Sequence, residues 1–142
     1  MIRRLHHAGV LVADAAPVTA ALELIGLPRE SVEQYGDELD IGFHPCGDAL
    51  LEVITPSSSK SWNADWLARS GPCIQHLAFE VPDLKEALRS LREQGVAFLD
   101  PAPRAGARGT TVAFLDPVAT GSILLELVED PASPFGRVIA TV

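Results

Sequence analysis

The sequence predicts an α+β fold made of two βαβββ modules related by pseudo-twofold symmetry, their sheets curled around a shared cleft with the helices outside. Two observations predict it. The first is internal repetition. His7-Ala-Gly-Val-Leu-Val-Ala-Asp14 returns as His76-Leu-Ala-Phe-Glu-Val-Pro-Asp83, 69 residues later, and Gly26 is matched by Gly95 at the same offset. Farther on, Gly47-Asp-Ala-Leu-Leu-Glu52-Val is echoed by Gly121-Ser-Ile-Leu-Leu-Glu126-Leu, 74 residues later. The second is periodicity, since each copy reads as a strand, a helix and then further strands. One domain over 1–142 is expected: a first module over 1–56, a linker with a short helix over 57–71, and a second module over 72–142.

The elements follow in order. Arg4 to Val12 alternates as a strand, with His7, Gly9 and Leu11 on one face and Ala8, Val10 and Val12 on the other. Asp14 then precedes a helix whose Ala20, Ala21, Leu24 and Ile25 form the apolar side, closed by Gly26 and Pro28. Glu38 to His44 and Ala49 to Thr55 read as paired strands joined by Pro45-Cys46-Gly47-Asp48. Pro56 to Lys60 is linker, leading into a helix with Trp62 and Trp66 at i, i+4, expected to anchor the core between modules. In the second module Asp83 and Glu86 form a capping box, and Leu84, Ala87, Leu88 and Leu91 keep the helical period up to Gly95. Val96 to Leu99 reads as a short strand, Asp100 to Gly109 as an irregular loop, and Thr110 to Leu115 and Ser122 to Val128 as the last strands.

Composition excludes several functions. A net charge of −8 without a basic stripe argues against nucleic acid. No segment approaches the roughly 20 apolar residues that span a bilayer, and the apolar run Ala8 to Val12 is too short for a signal peptide. A cytoplasmic protein is expected, with Cys46 and Cys73 reduced.

The repeat places one histidine early and one glutamate late in each module, so two imidazoles and two carboxylates would meet as a divalent-metal site: His7, Glu52, His76 and Glu126. A buried carboxylate among Leu, Ile and Val is costly unless a cation holds it ionised. Gly9 and Ala78, each two residues beyond a candidate histidine, leave room beside the rings. His6 points away from His7, and His44 reads as an ordinary edge residue. Asp40 stands within its strand, and reads either as a solvated residue or as a general base flanking the cleft.

These residues carry a resemblance. The βαβββ repeat with one His and one Glu per module resembles the vicinal-oxygen-chelate (glyoxalase/bleomycin-resistance) superfamily. Within it the chain is most similar to the methylmalonyl-CoA epimerases, through His7-Ala-Gly-Val, Leu51-Glu52-Val-Ile-Thr-Pro56, Gln75-His76-Leu-Ala-Phe-Glu-Val-Pro-Asp83, Pro103-Arg-Ala-Gly-Ala-Arg-Gly109, Val112-Ala-Phe-Leu-Asp-Pro117 and Leu124-Leu-Glu126. Three departures are visible, one of them Gly121-Ser122 where these epimerases usually have Gly-Gly. Gln75 stands where these epimerases usually have a first histidine, and Asp116-Pro117-Val118 where they have His-Pro-Lys.

The resemblance implies a divalent ion (cobalt, zinc, manganese or nickel) on His7, Glu52, His76 and Glu126. It also implies abstraction of the α-proton of a dicarboxylic acyl-CoA, with the ion as Lewis acid. Glu126 and Asp40 are then the candidate bases, and Arg104 and Arg108 the groups that hold the CoA phosphates. The partner implied is a small molecule, an acyl-CoA, taken up by a homodimer. The alternatives are a glyoxalase-type lyase or isomerase acting on another α-carbonyl compound, and a non-catalytic binding member. An extradiol dioxygenase fits less well, because that class uses two His and one Glu.

Overall fold

The computed structural model describes residues 1–135; the last residues assigned to the second module, 136–142, lie outside the described residues. The first module runs β1 (Arg4–Leu11), α1 (Ala16–Leu24), β2 (Ser31–Tyr35), β3 (Leu39–Cys46) and β4 (Ala49–Pro56). After α2 (Trp62–Ser70) come β5 (Cys73–Glu80), α3 (Leu84–Glu93), β6 (Arg104–Ala105), β7 (Thr111–Phe114) and β8 (Leu124–Glu129). The α+β order of two βαβββ modules is therefore present. Residues 7–76 form one compact unit, and Met1–His6 with the described residues from Leu77 onward form the other.

In the first unit the strand order is β2-β3-β4-β1. β1 runs parallel to β4, pairing His7 with Leu50 and Gly9 with Glu52. β3 and β4 pair antiparallel, Phe43 opposite Glu52 and Asp40 opposite Thr55. Leu11, Leu39, Ile41, Phe43, Val53 and Ile54 are buried here. β2, which hydrophobic alternation does not single out, is an edge strand whose outer residues are wet; its hydrogen bonds to β3 make it a strand.

α1 differs from expectation. None of its residues is buried, and Leu24 and Ile25 are 89% and 73% exposed. The half-buried positions are Val18, Thr19 and Leu22, so the helix is rotated away from the Ala20–Leu24 side. It closes as expected past Gly26 (φ 93°), where the Leu27 N–H donates to the Leu22 carbonyl at 2.8 Å. His44 is also corrected. It is fully buried, and its Nδ1 donates to the Leu27 carbonyl at 2.8 Å, which ties the end of β3 to the segment after α1.

In the second unit the order is β5-β8-β7-β6. Phe79 and Val81 pack with Leu84, Ala87, Leu88 and Leu91, the face that the periodicity assigned to α3. Burying Leu84 and Leu88 contributes about 2 kcal/mol each. Asp83 accepts from the Glu86 N–H at 2.9 Å and Glu129 from the Leu84 N–H at 2.9 Å, so two helix-start donors meet carboxylates.

The short strand expected at Val96–Leu99 is only a single bridge, Phe98 with Leu115. The third strand lies instead in the Pro/Gly-rich segment, where Arg104 and Ala105 pair with Val112 and Thr111. Gly106 permits this turn, since a Cβ there would meet Thr110 Oγ1 at 2.5 Å and Val112 Cγ1 at 2.7 Å. Trp62 and Trp66 are not core anchors. α2 buries no residue, Trp62 is 45% exposed, and the two rings pack on each other at 5.2 Å.

Candidate metal centre

β1 and β5 share more than sequence. Along both, exposure runs half-buried, exposed, buried, buried, then alternates, with the repeated histidine as the fourth residue. His7 and His76 thus occupy equivalent buried positions, set by the two-residue period of the strand. Gly9 and Glu52, paired across β1 and β4, complete the surroundings.

His7, Glu52 and His76 converge. They are 4%, 7% and 5% exposed, and one donor atom from each lies within 4.8 Å of the others. His7 Nε2 is 3.0 Å from His76 Nε2 and 3.4 Å from Glu52 Oε2. The rings stand edge to face, with centroids 5.1 Å apart and planes at 87°. Donors bonded at about 2.1 Å to one ion sit about 3.0 Å apart at octahedral angles and about 3.4 Å apart at tetrahedral ones. The observed separations match that range, and two imidazoles with a carboxylate suit a borderline divalent ion.

Gly9 is the cradle of this cluster. A Cβ there would fall 2.1 Å from His76 Cε1 and 2.4 Å from Nδ1, so the ring occupies the space that glycine leaves. A glycine beside a histidine was legible as room; that the occupant is the histidine of the other repeat was not.

The remaining candidates are placed as follows. Glu126 is buried in β8 opposite Phe114, as Glu52 is buried in β4 opposite Phe43, so the repeat extends to the cross-strand partner. Asp40 is exposed and pairs with Thr55. By strand alternation it lies on the β3–β4 face opposite to Glu52, where it lines a cavity of about 470 Å³ with Asp14, Thr19, Arg29, Val53 and Thr55. The structure does not bring Asp40 to the Glu52 face, against the expectation that it flanks the cleft.

The loop arginines are placed too. Arg104 donates through Nε to Asp100 at 2.9 Å and lies 5.3 Å from the Phe114 ring centre, while Arg108 is exposed in a turn with φ 57°. Asp116, where the resemblance expects a histidine, accepts from the Val118 N–H at 2.9 Å and caps a short turn, and Val118 is 90% exposed.

A second group of possible ligands, His6, Glu80 and Asp130, lies in the other unit. Glu80 is fully buried, with Arg4 Nε at 2.5 Å and Arg3 Nη1 at 3.4 Å; Asp130 faces His6 Nε2 at 3.1 Å. Burial pushes the Glu80 carboxyl up, but hydrogen bonds from Ser133, Arg4 and Arg3 outweigh it and hold the group below its ordinary value. Burial lowers His6, against the pull of Asp130. Two guanidiniums already neutralise this cluster, so it reads as an ion-pair network. Glu80 stands where the first copy has Leu11, and the repeat alone gave no sign that two arginines would reach it.

Comparison with known proteins places the chain in a family. The model of the Glyoxalase/Bleomycin resistance protein/Dioxygenase superfamily matches residues 5–114. Protein YqjC of Bacillus subtilis, itself uncharacterized, is 33% identical over 132 residues, which is 90% of this chain and 93% of that protein. An ethylmalonyl-CoA/methylmalonyl-CoA epimerase of Cereibacter sphaeroides is 31% identical over 133 residues, 89% of this chain and 98% of that one. Among solved structures, methylmalonyl-CoA epimerase from Mycobacterium tuberculosis superposes with a TM-score of 0.84 at 30% identity, covering 90% of this chain and 88% of that chain. Among the described residues, no helix is long and apolar enough to cross a membrane.

Proposed function

The chain belongs to the glyoxalase/bleomycin resistance protein/dioxygenase superfamily, and on that premise we propose that it is a metal-dependent epimerase acting on a dicarboxylic acyl-CoA such as methylmalonyl-CoA. The observation that carries this reading is the buried donor set His7, Glu52 and His76, with its Nε2–Nε2 separation of 3.0 Å. Glu126 is proposed as the fourth ligand because it is the repeat counterpart of Glu52, buried and opposite a phenylalanine in the same way. When bound, a divalent ion (cobalt, zinc, manganese or nickel) supplies Lewis acidity toward a carbonyl oxygen, which eases loss of the neighbouring proton.

The chain's own residues do the rest. His7, His76 and Glu52 fix the donor geometry. Glu126 is the base we assign, a carboxylate that takes the α-proton from one face of the substrate before an acid returns it to the other. Asp40, exposed on the opposite face of its hairpin, is the weaker candidate. Arg104 and Arg108 are proposed to meet the CoA phosphates. Similarity to relatives named as epimerases of acyl-CoA esters supports the substrate class, and the clustered donors His7, Glu52 and His76 argue against a purely binding role.

The test is metal analysis followed by deuterium exchange at the α-carbon of methylmalonyl-CoA. Metal-dependent exchange is expected. Glu126→Gln should lower it by about a hundredfold or more even where metal is retained, because an amide ligates through oxygen but cannot accept the proton. Asp40→Asn should leave it within about twofold of wild type, general-base loss costing far more. A metal-loaded protein that exchanges nothing on methylmalonyl-CoA but isomerises a glutathione hemithioacetal would move the chain to the glyoxalase reading.

A further inference from the structure

Gln75 is the residue that the resemblance leaves unexplained, and the structure gives it an occupation. Adjacent strand residues point to opposite faces, yet Gln75 and His76 are both buried, and the Gln75 Oε1 lies 3.1 Å from His76 Nδ1. Gln75 Nε2 in turn donates to Asn63 Oδ1 at 2.7 Å, and Asn63 sits in the first turn of α2. Ser61, the helix cap, fixes that turn by accepting the Ala64 N–H at 3.1 Å. The equivalent residue of the first repeat, His6, turns instead to Asp130.

The chain of donors has one consistent direction. Gln75 commits its amino group to Asn63, so its oxygen faces the imidazole and accepts from an Nδ1–H. A neutral imidazole that carries its proton on Nδ1 has its lone pair on Nε2. Nε2 is the atom that lies 3.0 Å from His7 Nε2 within the donor cluster. We propose that Asn63 and Gln75 are positioning residues that hold His76 in its Nδ1–H tautomer with Nε2 turned to the metal. The inference rests on the metal-centre reading above but reaches into the linker helix: α2 takes part in the site without supplying a ligand.

The experiment uses zinc alone as probe, with competition titrations for affinity, and ¹⁵N chemical shifts of the His76 ring in metal-free protein at pH 8. Gln75→Met keeps the length of the side chain and removes the acceptor. It should weaken zinc binding about 10–100-fold, the usual cost of losing a ligand's outer hydrogen bond, and move the ring toward the Nε2–H form. Gln75→Glu, which keeps an acceptor, should restore affinity and the Nδ1–H form. Asn63→Leu reports on the same link if Gln75→Met does not fold. Gln75→Met with wild-type zinc affinity and an unchanged tautomer would overturn the proposal. A wild type that binds no zinc while the tautomer still follows Gln75 would instead sink the metal reading and leave the orientation of His76 by Gln75 standing.

Discussion

Gly9→Ala tests the donor cluster with one methyl group. The new Cβ would stand 2.1 Å from His76 Cε1, 2.4 Å from Nδ1 and 2.8 Å from Nε2. Carbon atoms in contact sit about 3.5 Å apart, so the ring must retreat by about 1.4 Å. Metal–ligand bonds tolerate about 0.2 Å. His76 is then lost as a ligand, and zinc affinity should fall by at least about 100-fold, the upper end of what weaker outer-sphere changes cost.

Stability should change far less. Overpacking costs about 1–3 kcal/mol, and the stiffer unfolded chain returns about 0.4–1 kcal/mol of it. The net is a Tm lower by about 5 °C. Gly42→Ala is the control in the same unit, because its Cβ would come close only to the flexible Arg29 Cδ, at 3.3 Å, with Arg29 Cγ and Val53 Cβ at an ordinary contact distance of 3.9 Å. Zinc titration and thermal melts of the two variants separate the effects. Wild-type zinc affinity in folded Gly9→Ala would refute the reasoning.

Two further outcomes are expected. Glu80, held below its ordinary carboxyl value in the fold, binds its proton less readily there than in the unfolded chain. The stability it contributes is therefore complete above the unfolded value of 4.5 and is lost as pH falls through the lower folded value. Glu80→Gln should cost about 3 kcal/mol at neutral pH by removing the buried carboxylate that Arg3 and Arg4 share, and should flatten the acid limb of a Tm–pH curve; an unchanged acid limb would remove Glu80 from the account. Arg104→Ala and Arg108→Ala should each raise KM for the acyl-CoA about tenfold with kcat nearly unchanged, as loss of one charge-assisted contact does. A parallel fall in kcat would mean that these arginines shape the reacting end.

How much of this was legible depended on what kind of signal each residue left. His7, Glu52 and His76 could be read because repetition marks equivalent positions and the strand period fixes their face. The α3 core was legible for the same reason, through Leu84, Ala87 and Leu88. α1 misled because its apolar residues surround the helix, so composition could not say which side faces the sheet. β2 escaped because none of its residues is buried, and Arg104–Ala105 because a two-residue strand owes its existence to β7 and to Gly106. Asp40 was misplaced by one step of phase: its register opposite Thr55, and with it the face it occupies, is set by pairing with β4. Gln75 was visible as an anomaly, but its role depends on Asn63, twelve residues away, and only the fold joins them.

The positions of the two histidines have a mechanical meaning. His7 is the first residue of its compact unit and His76 is the last. A single ion gripped by both would close those 70 residues into a ring, as a covalent cross-link does. By the chain-entropy relation for closing a loop of that length, such a closure is equivalent to about 4 kcal/mol. The ion would then act as a clasp at the mouth of the unit. Neither the strand that opens it nor the strand that ends it could peel away without letting the metal go, so chelation would loosen the unit from its two ends inward.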